Sequence, residues 1–307
     1  MSQPFFYCSE LSRGVAERTF GTASVGNVWL LIEYPYGWGF EALTDSGLSP
    51  AVRAYLNRFL KTVPRARVLF IKQERKESAE RSVFFVRCRE RNSSVARLSI
   101  SDYEQLPDID TASIAAGDVP GSVSLSDSPL YLVCTHGRRD KCCAKFGYPL
   151  YKSLRARSAS VWQSSHVGGD RFAANLVCFP HGLFYAHVTE EMSRRVVKEY
   201  EERHVLLEKY RGRACYSYPV QAAEYFIRRE AGIIGLDDLR HLGCERVQEK
   251  TWRARFMTTD GERIHEAVVR SVMSDFLSYT TCHSTEEKAV MQYVLSDYRV
   301  ADVHQKV

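Results

Sequence analysis

No run of apolar residues in this 307-residue chain approaches the ~20 needed to cross a bilayer. The first residues, MSQPFFYCSELSRGV, lack the basic segment followed by a long apolar core that marks a secretory leader. Neither membrane insertion nor export is expected, and the cytoplasm is the expected compartment. Blocks of basic charge are missing too: 42 Lys and Arg exceed 37 Asp and Glu by five, and they are scattered, which leaves no footprint for nucleic acid. No two cysteines have the C-x-x-C spacing of a dithiol oxidoreductase. Gly37 and Gly39 follow an apolar run but lack the rest of a dinucleotide fingerprint, so no bound nicotinamide or flavin is indicated.

What is present is ordinary globular composition, 45% hydrophobic and 26% charged. At one domain per ~150 residues the length predicts about two domains. The nine cysteines are odd in number and follow no leader, which argues against a disulfide framework and for a reducing compartment. Clustered cysteines in that setting point to metal or redox chemistry.

Residues 28–34 (VWLLIEY) read as a buried strand, residues 50–60 as a helix with Pro50 in its first turn, and residues 67–72, 82–88 and 95–100 as three further strands. Residues 106–128, rich in Pro, Asp, Gly, Ser and Ala, offer too little apolar surface for an ordered core and mark a domain boundary. A second α/β unit follows. It has a strand at 130–134, a helix over 140–154, a strand at 160–164, a hairpin of 175–179 with 183–188, and an amphipathic helix over 189–210 capped by Thr189. The order β-α-β, irregular, β-β-α is that of a thioredoxin-like fold, and the first segment reads as a weaker copy. The expected architecture is therefore α/β: two thioredoxin-like domains over residues 1–120 and 121–307. The second carries a C-terminal β-rich extension, with a helix at 221–229 and a hairpin of 246–257 with 263–269 closed at Asp260-Gly261.

The densest chemistry lies at Cys134-Thr135-His136-Gly137-Arg138-Arg139-Asp140-Lys141-Cys142-Cys143, where a buried strand runs into a helix. Ligands settle at such strand ends, and a helix N-terminus favours thiolate. One βα unit later, His166 and Asp170 stand four apart across Gly168-Gly169, a loop tight enough to aim both at one point. Two thiolates, an imidazole and a carboxylate suit either zinc or an iron-sulfur cluster, and spacing alone does not choose. His136 and Asp140 either orient a ligand or cap the helix. Cys178 reads as core, as do His181 and His187 if not solvated. Cys8, Cys88, Cys215, Cys244 and Cys282 show no ligand spacing to one another and read as structural, Cys282-His283 being the one pair among them of chemical interest. Trp29, Trp38 and the loop 34–39 read as packing between domains, with a partner surface as the alternative.

CTHGRRDKCCAKFG and VWQSSHVGGDRFAANLVCFPHGLFYAHV resemble the sucrase/ferredoxin-like family, as do VWLLIEYPYGWGFEAL and ARVLFIK near the start. The likeness spans roughly residues 28–210. It implies a thioredoxin-like ferredoxin in the second domain, its [2Fe-2S] cluster held by Cys134, Cys143, His166 and Asp170, with Cys142 or His136 as alternative ligands. The fungal branch has histidine where this chain has Asp170. The resemblance implies thiolates on one iron, His166 and Asp170 on the other, and Arg139 and Arg171 offsetting charge. The implied role is one-electron transfer between a separate reductase and an acceptor. No carboxylate pair supports sugar hydrolysis.

Overall fold

The structure, a computed structural model, describes residues 6–74, 79–116, 124–126, 128–158 and 160–303. After a short helix α1 (Cys8–Gly14), strand β1 (Val28–Glu33) is buried at every position, as the unbroken run VWLLI requires. Ser49 caps helix α2 (Pro50–Thr62), its Oγ accepting from the Val52 N–H, and Pro50 occupies the first turn where its missing donor costs nothing. The helix crosses over so that β2 (Ala66–Lys72) returns parallel to β1. β3 (Arg81–Arg87) and β4 (Ser94–Ile100) then add antiparallel.

The described parts of residues 106–128 depart from expectation. Leu106, in a 3-10 turn, and Ile114, in helix α3 (Thr111–Ala116), are both buried against the first half's core, and β5 (Ser124–Ser126) pairs with β4. Two well-placed apolar side chains are enough to dock a polar segment. The boundary expected between residues 120 and 121 lies outside the described residues.

The second half repeats the pattern: β6 (Leu130–Cys134), helix α4 (Lys141–Arg155), β7 (Val161–Ser164) parallel to β6, then β8 (Leu176–Phe179) and β9 (Leu183–Tyr185) as an antiparallel hairpin. Helix α5 (Glu190–Glu201) starts on the Thr189 cap but stops well short of residue 210. The chain breaks there to pair Val205 with Ile234 and to lay β10 (Tyr210–Arg213) beside β9.

All ten strands form one mixed sheet, in the order β10-β9-β8-β6-β7-β2-β1-β3-β4-β5. Each half therefore reads second, first, third, fourth, and the halves join edge to edge at an antiparallel contact of Ile71 and Lys72 with Ser164 and Gln163. In a flat sheet, four spacings of ~4.8 Å would hold β1 roughly 19 Å from β8. Yet the Trp29 and Phe179 rings are 5.4 Å apart, and Phe84 meets Trp162 at 5.5 Å. The sheet is folded over at the join, and one face of each half packs on the other in a shared core that includes Leu31, Val86, Leu132 and Phe184. α2 covers the outer face of the first half; α4 and α5 cover that of the second.

The tail forms helix α6 (Tyr218–Ala231) and a separate antiparallel sheet, β11 (Leu239–Gln248), β12 (Thr251–Thr258), β13 (Arg263–Ser278) and β14 (Lys288–Asp302), with its own core. The expected hairpin over Asp260-Gly261 is present. Residues 246–257 are not one strand, however, because the chain reverses at Glu249 and Lys250, the latter with φ +56°.

Candidate metal centre

β6 and β7 are parallel neighbours, with Cys134 paired to Ser164, so the loops leaving them rise from the same sheet edge. Asp140 ends the first loop as the cap of α4, its Oδ1 accepting from the Cys142 N–H at 2.8 Å, and that cap places Cys143 in the first helical turn. A side chain on Gly147, one turn further, would collide with the Cys134 carbonyl oxygen, so only glycine lets the helix lie this close to the strand end. The second loop turns back through Gly168 and Gly169, at φ +92° and +83°, into a 3-10 turn over Asp170–Phe172.

These two loops bring the ligand atoms of Cys134, Cys143 and His166 within 4.8 Å of one another. Asp170 closes the set, with Oδ1 3.7 Å from the Cys143 Sγ and 3.1 Å from the His166 Nδ1. Both sulfurs and the carboxylate are buried, whereas the His166 side chain is 23% exposed. Although its Nδ1 is itself buried, it makes no hydrogen bond of normal geometry among the described residues.

The Cys143 thiol donates to Cys134 and holds that sulfur well below the usual thiol range against the opposing effect of burial; the same bond and burial push Cys143 up. Burial raises the Asp170 carboxyl. At His166, burial favours the neutral ring, but the Cys134 sulfur and Asp170 outweigh it and raise its pKa. An ion pair thus forms where an anionic sulfur, a carboxylate and an imidazole compete for one desolvated space, a donor set that suits a cation.

Of the supporting residues expected from sequence, His136 accepts from the His166 backbone N–H on Nδ1 at 3.2 Å and meets the Gly39 carbonyl with Nε2 at 2.6 Å. It ties the ligand loop to the loop after β1, whose Trp38 packs edge-on against its ring. Arg139 pairs with Glu41 and lies over Phe40; Arg171 pairs with Glu17 at 2.7 Å. Arg139 still acts on the site, favouring the Asp170 carboxylate and opposing the charged His166 ring. The cation that sequence reasoning missed is Arg211, fully buried, in no ion pair among the described residues, and donating to Thr22, Gly168 and Asn175. Burial pulls its pKa down to about 9, while Asp170 and Cys134 oppose that shift. One of the two arginines in YRGR, Arg211 carries no sequence signal of this role.

Cys142 does not join Cys134. On the helix it points the other way, to Cys8 and Cys282, two cysteines read from sequence as structural. Cys178 and His187 are core, and His181 is half-buried against Tyr200, its Nδ1 2.6 Å from the phenol oxygen. No helix among the described residues is long and apolar enough to cross a membrane.

A family model described as sucrase/ferredoxin-like matches residues 19–212, which takes in both halves of the ten-stranded sheet. No curated protein and no solved structure matches the chain.

Proposed function

The chain belongs to the sucrase/ferredoxin-like family, and from that premise we propose that it carries a [2Fe-2S] cluster and passes single electrons between a separate reductase and an acceptor. The observation that carries this reading is the convergence of Cys134, Cys143, His166 and Asp170 at one strand edge. The residues fit the group. Two cysteine sulfurs stand together for one iron, and a buried imidazole nitrogen without a normal hydrogen bond stands beside a carboxylate for the other. When bound, the cluster supplies one-electron chemistry that no side chain here provides.

The protein's own part is to set access and charge. Loop 34–39, anchored through Gly39 and Trp38 to His136, closes one side of the site and keeps water from the sulfurs. His166, the most exposed of the four, is the natural exit for an electron, and the half-exposed Tyr36 and Phe40 on the same loop side offer a partner an apolar contact. Arg211 offsets the anionic donor set from inside. The shared order of the two halves supports reading each as thioredoxin-like, with residues 1–120 a degenerate copy and residues 121–307 the ferredoxin unit with its extension.

One observation favours a second reading. Three donor atoms within 4.8 Å of one another surround a single point, as they would for one zinc ion tying loop to loop. A visible spectrum with iron and acid-labile sulfide assays on protein reconstituted anaerobically separates the two. Broad bands bleached by dithionite, about two irons per chain and an altered spectrum in Asp170→Ala are expected. Colourless, iron-free protein after that treatment overturns the cluster reading.

A further inference from the structure

Beside the site just described lies a second gathering of thiols, reached from three distant parts of the chain. Cys8 is on α1, Cys142 opens α4, and Cys282 sits in the loop 279–287 that joins β13 to β14. They are 134, 140 and 274 residues apart in sequence, yet their sulfurs stand 3.6, 3.2 and 3.6 Å from one another. With metal-sulfur bonds of ~2.3 Å, the edge of a tetrahedron of sulfurs is about 3.8 Å. The triangle therefore has the size of one face of a single-ion site and is too small to straddle several metals.

Asp140 supplies the fourth corner. Its Oδ1 accepts from the Cys142 N–H at 2.8 Å and its Oδ2 from the Cys282 N–H at 2.6 Å, which fixes both cysteines, and both oxygens lie 3.9 Å from the Cys8 sulfur. A carboxylate has about four lone-pair positions, so two backbone donors leave capacity for a cation. The Ser9 N–H points at the Cys142 sulfur at 3.4 Å, the kind of bond that steadies a thiolate ligand. All four residues are buried, and Phe6, Tyr7, Phe146 and Tyr279 pack around them.

Thiols alone do not account for this arrangement. An S–H group is a weak donor, and a seven-residue helix such as α1 has no stability of its own. A disulfide would satisfy two sulfurs and strand the third beside a buried carboxylate. We propose that Cys8, Cys142, Cys282 and Asp140 form a second metal site that holds one zinc ion through three thiolates and a carboxylate oxygen. It shares no ligand with the cluster site. Because Cys142 precedes Cys143, the ion pins the helical turn that presents Cys143, and it fastens α1 and the β13–β14 loop to that turn.

Zinc content and zinc X-ray absorption of the full-length protein, after incubation with zinc and dialysis against a chelator, test this directly. A shell of three sulfurs and one oxygen at tightly bound zinc is expected. Cys8→Ser and Cys282→Ser should each lower the retained zinc more than about tenfold, while the Cys134→Ser/Cys143→Ser double variant keeps it. Protein that retains no zinc, a shell with two sulfurs, zinc retained in both single variants, or a Cys142–Cys282 disulfide in fresh protein overturns the proposal. If a single variant does not fold, the wild-type shell decides, because among the described residues only this group offers three sulfurs. Failure of the cluster reading would appear in iron and sulfide, not in these readouts.

Discussion

A carboxylate at position 170 adds negative charge where two cysteine sulfurs already lie buried; His166 and Arg139 offset it, and the buried Arg211 is held in its charged form by the same groups. A buried guanidinium without a carboxylate partner is costly unless its donors are satisfied. Arg211 meets that cost with four neutral oxygens, keeping its charge free to act on the site. A different, half-buried cation-former, His181, yields a stability prediction. Burial lowers its pKa from 6.5 to about 4. The unfolded chain takes up a proton near pH 6.5 and the folded protein does not, so this contribution is complete above pH 6.5 and is withdrawn as pH falls towards 4. Urea unfolding at pH 7 and pH 4.5 should show a smaller loss for His181→Gln than for wild type. At this scale the meeting of Cys134, Cys143, His166 and Asp170 could be expected from sequence because each follows a strand end by local spacing. The roles of Cys8, Cys282 and Arg211 could not, since each has defining partners 132 to 274 residues away.

Helix α4 is the element on which both candidate sites depend. Its cap residue Asp140 touches one, and its first turn sends Cys142 to that site and Cys143 to the other. Gly147 sets the distance of the whole helix from β6. In an exposed helix interior, Gly→Ala is worth about 1 kcal/mol of stabilisation. Here the methyl would drive the helix off the Cys134 carbonyl, and overpacking of this kind costs about 1–3 kcal/mol. Gly147→Ala should therefore unfold at lower urea and bind less iron after reconstitution, the opposite of the propensity expectation. The sequence displayed α4, β6, β7 and the β8–β9 hairpin plainly, because caps, apolar runs and turn residues act locally. α1 and β14 stayed hidden: the first is held by tertiary contacts of Ser9 and Cys8, and the second buries residues without a sustained alternation.

For the whole molecule, the two-part organisation was visible in the repeated β-α-β-β-β order, but the way the parts meet was not. Register at Ile71–Ser164 and the fold-over that brings Trp29 to Phe179 are properties of the assembled sheet. Since the inner core is built from both halves, neither should fold alone. Residues 121–307 expressed separately should lack a cooperative thermal transition, whereas co-expression with residues 1–120 should restore one and co-purify the pieces; independent folding of either piece would contradict a shared core. The loop that packs beside the candidate metal centre, 34–39, belongs to the half that holds none of the four converging residues. In a two-subunit protein such a loop would dissociate on dilution. Here a covalent tether keeps it at an effective concentration on the order of millimolar or above, so its packing beside the site is independent of how much protein is present.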